Sequence, residues 1–211
     1  MSRTTNDISG KKAFIRKDIE SAYMHLAAPS RSFDYSDVRV QTSAPSSAPI
    51  PAGVYLEDCT IIRVIGQLRP HEQAWLRYCY AVRSTEKEWE DIETVAQWLW
   101  KEHLSTLDAE GKKMSPERQE RLYGFILPAL QQIQAEAKRG QRLYRIQKLL
   151  DLTANTTGAT KGCWKRDWHP HWNGLCGILR KLDHDALVLA IGAFTNDEKR
   201  KAANTEKRIY A

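Results

Sequence analysis

From Val54 to Phe194 apolar residues return at intervals of three and four, and few stretches alternate with the two-residue period of a strand. A chain patterned this way buries one stripe of each helix against its neighbours, so an all-α fold is expected. Its 211 residues suit one compact domain, or two small ones sharing a core.

The N-terminal segment "KKAFIRKDIESAYMHL" (11–26) also has helical spacing, with Phe14, Ile15, Ile19, Tyr23 and Leu26 broadly on one side. Serine, proline and alanine dominate the stretch after it, and no period survives there. The expected organisation is a detachable, flexible helical arm over 1–27, a linker over 28–53, a helical domain over 54–194 and a frayed, charged tail over 195–211. Within the domain, "VYLEDCTIIRVIGQL" and "PHEQAWLRYCYAV" read as a helical hairpin, with Pro70 in the first turn of its second helix. Residues 88–104 place Trp89, Ile92, Ala96 and Leu99 on one stripe. Trp98 and Trp100 cannot share a side of that helix, so either two layers of core surround it or one of them is exposed to a partner. A kink is expected at Pro128 and a break at Gly140.

Charge is unevenly distributed. Residues 84–137 hold 6 Lys/Arg against 11 Asp/Glu, net −5, whereas 138–181 hold 10 against 2, net +8. A basic excess concentrated in one region is the electrostatic footprint expected of a phosphate-binding protein, although an ordinary solvated face would read the same way.

The basic region contains "TKGCWKRDWHPHW" (160–172), with three tryptophans, three basic side chains and two histidines. On a helix capped by Thr160, Trp164 and Trp168 are i, i+4 neighbours and should be core. Gly162, Lys165, Arg166 and His169 then gather on the opposite side. His169 precedes a proline, so this helix should be short and a new one should begin at Pro170, with Trp172, Leu175, Cys176, Leu179 and Leu182 forming its apolar stripe. Upstream, "RLYRIQKLLDL" should bury Leu143, Ile146 and Leu150 and turn Lys138, Arg145 and Lys148 outward. Helix, turn, short basic helix and supporting helix are the parts of a helix-turn-helix module, placed at about 141–182. Its candidate DNA contacts are Thr160, Lys161, Gly162, Lys165, Arg166 and His169, with Arg145 and Lys148. Arg166 suits a bidentate pair with guanine, and Lys165 a base or phosphate.

Three stretches in this order, "HEQAWLRYCYA" (71–81), "CWKRDWHPHWNGL" (163–175) and "LRKLDHDAL" (179–187), resemble one branch of the phage antitermination protein Q family. The resemblance covers roughly residues 54–191. It implies a non-enzymatic regulator of late genes that binds double-stranded DNA near a late promoter and engages bacterial RNA polymerase, with its sigma factor, in a promoter-proximal pause. Such a protein stays with polymerase, narrows the RNA exit path and lets terminators be read through. The paired CxxC motifs of the zinc-containing branch are missing from this chain, so no structural zinc and no cofactor are expected.

Rival readings use the same residues. Asp167, His169, His171 and Asn173 offer a metal-dependent nuclease, but the flanking strands such a site needs are not visible. Cys163, His169, His171 and Cys176 are permitted zinc ligands in a spacing that matches no standard arrangement. A DNA-binding repressor or replication factor would need no surface beyond the helix-turn-helix. The longest apolar stretch, "ALVLAIGAF" at 186–194, is too short to span a bilayer, and no apolar run follows the first lysines, so a cytoplasmic protein without membrane contact is expected. The four dispersed cysteines should be reduced and mostly buried. No long heptad seam is visible, so the free protein should be a monomer or weak dimer, with a second copy able to join it on DNA.

Overall fold

The computed structural model describes residues 3–27, 52–81, 85–145, 147–151 and 161–209, and every regular element among them is helical. The elements are α1 (Arg3–Ala27), α2 (Ala52–Ile65), α3 (Pro70–Tyr80), α4 (Thr85–Ala109), α5 (Pro116–Tyr123), α6 (Ile126–Arg139), α7 (147–151), α8 (Lys161–Cys163), a π turn (Trp164–Trp168) and α9 (His169–Ile209). The all-α reading holds. The boundary expected near Val54 falls at the start of α2, and the linker expected over 28–53 lies almost wholly outside the described residues.

α9 is the axis of the molecule. Its 41 residues extend about 60 Å at 1.5 Å per residue, and it packs against α1, α2, α3, α4 and α6. Leu175, Leu179, Leu182, Ala186, Leu187 and Ala190 form its buried stripe. Facing them are Trp75 and Leu76 of α3, Leu99 of α4 and Leu130 and Ile133 of α6, all in one continuous core. A fully buried leucine contributes about 1.5–3 kcal/mol.

Local chemistry explains the helix ends. Pro70 opens α3 where its missing N–H is not needed, and the Arg69 backbone N–H donates to Glu72 Oε2 at 2.9 Å. Burial pushes the Glu72 carboxyl up, but its hydrogen bonds from the Arg69 side chain and backbone outweigh that and hold it below the usual range. Gly140 closes α6 at φ +64°, its N–H returning to the Glu136 carbonyl.

Several boundaries differ from expectation. α1 is helical but not detachable: Ile15, Ile19 and Ala22 are buried in the common core, and Arg16 pairs with Asp183 of α9 at 2.9 Å. Phe14, assigned to the buried side, is exposed. In place of the kink expected at Pro128, the helix is interrupted at Gly124 and Phe125, and Pro128 sits in the first turn of α6, where proline is tolerated. Residues 141–145 are irregular rather than helical, so Leu143 is exposed, while Leu149 and Leu150 of α7 are buried. The backbone expected to fray beyond residue 194 continues as helix to Ile209.

On α4 the buried stripe runs through Val95, Ala96, Leu99, His103 and Leu107, leaving Trp89 55 % exposed rather than in the core. Both neighbouring tryptophans are packed: Trp98 lies flat on His71 with centroids 4.5 Å apart, and Trp100 meets Tyr123 edge-on at 5.4 Å. None of the four cysteines forms a disulfide; Cys79 and Cys176 are buried, Cys163 is half-buried and Cys59 is exposed.

Candidate nucleic-acid interface

The segment from Lys161 to Trp168 hangs on one aromatic ring. Phe125, between α5 and α6, has its centroid 5.7 Å from Trp164, 5.6 Å from Trp168 and 6.4 Å from Trp172. Trp164 and Trp168 are buried, as their spacing predicts, and Trp172 is half-buried against the same core. Arg118 of α5 adds a second clamp. Its guanidinium lies 5.7 Å from the Trp168 ring and donates to the Asp167 carbonyl at 3.1 Å.

The helix does not stop before Pro170. The His169 N–H reaches back five residues to the Trp164 carbonyl, forming the π turn, and α9 follows without a break. In an α-turn Pro170 would leave the Arg166 carbonyl unpaired and press its ring against it. One extra residue in the turn relieves that conflict, so a single continuous helical rod replaces the expected short helix and supporting helix. A helix-turn-helix module at 141–182 is therefore not shown among the described residues, and residues 152–160 lie outside them.

With the tryptophans inward, Lys165 and Arg166 point out. Both are exposed, as is Gly162. Arg166 donates to Asp167 at 2.8 and 2.9 Å, which raises its own pKa and lowers that of the carboxyl. His169 does not join this group. It is half-buried, its ring 6.1 Å from Trp164, and its Nε2 lies 3.3 Å from the Asn173 amide nitrogen. Arg145 is exposed in the irregular segment, and Lys148 is exposed on α7 with its ammonium 5.6 Å from the Tyr144 ring. Thr160 and the side chain of Lys161 lie outside the described residues.

Four cations of 138–181 enter the charge count without being among the residues singled out by the sequence pattern: Arg139, Arg142, Arg180 and Lys181. Arg142 and Arg180 line a cavity of about 220 Å³ whose walls include Tyr144, Trp164, His169 and Trp172. Arg180 is held by Glu136 at 2.9 and 3.1 Å, and burial of that carboxylate is outweighed by the hydrogen bonds it accepts, so its pKa is lowered. The buried indole N–H of Trp164 has no protein partner.

The metal readings find no support in this geometry. No three His, Cys, Asp or Glu side chains among the described residues converge in a way that would hold an ion. Cys176 is buried in the apolar stripe of α9, and His171 turns toward the His103 ring at 5.7 Å. Among the described residues no helix is long and apolar enough to cross a membrane.

No curated protein and no solved structure matches the chain. The family model described as phage antitermination protein Q matches residues 11–210, which takes in most of α1, the aromatic clamp and all of α9. On that match, the chain belongs to the phage antitermination protein Q family, whose members regulate transcription of phage late genes.

Proposed function

We propose that the chain binds double-stranded DNA near a late promoter through the basic surface of 138–181 and then engages bacterial RNA polymerase, with its sigma factor, in the paused complex. It stays with polymerase as it leaves the pause, so that downstream terminators are read through. The observation that carries this reading is the two-sided π turn: Trp164 and Trp168 anchor it, and Lys165 and Arg166 stand free of the core on its outer side. Cations on a rigid support are what phosphate and base-edge recognition needs, because little side-chain or backbone order has to be acquired on binding.

In this reading Arg166 exchanges its bond to Asp167 for a base edge, with guanine the best geometric match. Lys165 and Lys161 hold phosphates, and the exposed Gly162 lets the backbone come close to them. Arg145 and Lys148, joined by Arg142, extend the positive surface along the duplex. His169 supports Trp164 rather than touching DNA. Two copies occupy adjacent sites when the promoter offers them, and the protein works in the bacterial cytoplasm with no cofactor and no covalent chemistry.

The test is transcription from a late-promoter template carrying a pause site and a downstream terminator, with purified polymerase holoenzyme. Added protein should raise the read-through fraction only when the promoter-proximal DNA site is intact. Binding to the site without read-through would instead make the protein a repressor or replication factor.

A further inference from the structure

An apolar groove of about 460 Å³ runs between α4 and the α5–α6 junction, on a part of the molecule the basic surface does not use. Trp89, Ile92 and Ala96 form one wall at positions i, i+3 and i+7, and Tyr123, Leu127 and Leu130 form the other. Trp89 is 55 % exposed, Tyr123 47 % and Leu127 36 %. Three large apolar side chains gathered along one groove are costly to leave in water, unlike single scattered ones.

The rim of the groove is acidic. Glu86, Glu90 and Glu93 follow one another at helical spacing along the edge of α4 beside Trp89, and Glu120 stands one turn before Tyr123 on α5; all four are exposed. No described lysine or arginine forms an ion pair with any of them. α4 carries 7 Asp/Glu against 2 Lys/Arg, net −5. Such a rim repels nucleic acid, so the occupant is protein, and the complementary rim is basic.

We infer that this groove docks an amphipathic helix of a partner protein, with apolar anchors at i, i+3, i+4 and i+7 flanked by lysines and arginines. An apolar groove walled on one side by α4 residues at helical spacing and on the other by the α5–α6 junction is the form that receives such a helix. Trp89 and Leu127 are the anchors' main contacts, and Glu90 and Glu93 set the partner's charge and direction. Naming polymerase holoenzyme as the source of that helix rests on the antitermination reading above.

Two probes separate the groove from that reading. The first is a synthetic helical peptide with leucines at i, i+3, i+4 and i+7 and flanking lysines, titrated into the labelled full-length protein and followed by NMR. Resonances of α4 and α6 should shift, and a peptide with glutamates in place of the lysines should leave them unmoved. Equal shifts with both peptides, or none with either, would overturn the groove whatever polymerase does.

The second probe is polymerase holoenzyme itself, with Kd measured by biolayer interferometry. Trp89→Ala, Leu127→Ala and the pair Glu90→Lys, Glu93→Lys should each weaken binding by about tenfold or more, as hot-spot positions do. These side chains are exposed, so thermal melting and affinity for promoter DNA should change by less than about twofold in equilibrium terms. If the parent binds polymerase and all three variants bind equally well, polymerase does not use the groove and the inference falls in that form. If the parent shows no affinity for polymerase, the antitermination reading fails while the peptide result still decides the groove. A dimer seen by light scattering and abolished by Trp89→Ala would assign the groove to a second copy and overturn the partner helix.

Discussion

The indole N–H of Trp75 donates to Asp183 Oδ1 at 3.1 Å, joining α3 to α9 inside the core. Tyr80 donates its hydroxyl to the same oxygen at 2.8 Å, and Arg16 of α1 holds the other oxygen at 2.9 Å. Three helices distant in sequence are tied to one carboxylate, and its two α3 donors lie in the "AWLRYCY" stretch. These residues carry the family resemblance for a structural reason.

Asp183→Ala would therefore strand a buried indole N–H, a buried phenol and a guanidinium at once. Removing one partner of a buried, hydrogen-bonded charge costs about 3–5 kcal/mol. Asp183→Asn keeps an acceptor and should cost less, about 1–3 kcal/mol. Urea unfolding monitored by tryptophan fluorescence measures both; equal, negligible losses would contradict the tie.

His103 makes stability depend on pH. Only 3 % exposed, with neither ring nitrogen bonded to protein, it has its pKa lowered to about 4, first by burial and then by the neighbouring His171. A base whose folded pKa lies below its unfolded value of about 6.5 favours the native state when neutral. Its contribution is complete above that unfolded value and is lost as pH falls toward 4. Between pH 7 and pH 5 the parent should lose about 2 kcal/mol through this group, and His171, also lowered by burial, acts in the same direction. Urea titrations of the parent and His103→Gln at the two pH values measure the difference, which should largely disappear in the variant.

Gly140 should resist replacement for backbone reasons alone. At φ +64°, with nothing within 4 Å of an added Cβ, Gly140→Ala meets no clash, so its cost is that of the left-handed conformation, about 1–2 kcal/mol. The urea midpoint should fall while the slope of the transition stays unchanged.

The two sides of the π turn should respond differently to mutation. Trp168→Ala removes a buried ring packed on Phe125 and should cost about 3–5 kcal/mol, lowering stability and every activity together. Arg166→Ala and Lys165→Ala should leave melting unchanged. The arginine variant should bind the cognate site about tenfold to a hundredfold more weakly and lose discrimination there. The lysine variant should weaken all sequences alike and reduce the slope of log K against log salt by about one. Fluorescence anisotropy over a range of salt distinguishes these outcomes, and unchanged binding in both variants would rule out the outward face as the DNA contact.

Much of this structure is legible in the sequence because helical spacing reports burial directly. Trp164, Trp168 and the stripe from Leu175 to Leu182 follow from counting alone. What escaped depends on partners far along the chain. Nothing near Arg16 shows that it meets a carboxylate 167 residues later, so α1 reads as a detachable arm. Trp89 fits the stripe of its helix, yet none of the described residues covers the ring there. The Pro170 boundary failed for a different reason. The steric rule for the residue before proline assumes an α-turn, and the chain adopts a wider one.

That wider turn also sets the angular phase of everything beyond it. In an α-helix four residues overshoot a full turn by about 40°, so tryptophans at 164, 168 and 172 would drift steadily around the rod. A π turn holds more than four residues, so the step from Trp164 to Trp168 falls short of a full turn, and the α-helical step from Trp168 to Trp172 recovers the shortfall. The two errors cancel, which is how a single phenyl ring can serve all three indoles. Losing one residue from the turn would rotate α9 by about 100° against the basic segment before it. Asp183 would then face away from Trp75 whenever Lys165 and Arg166 faced outward.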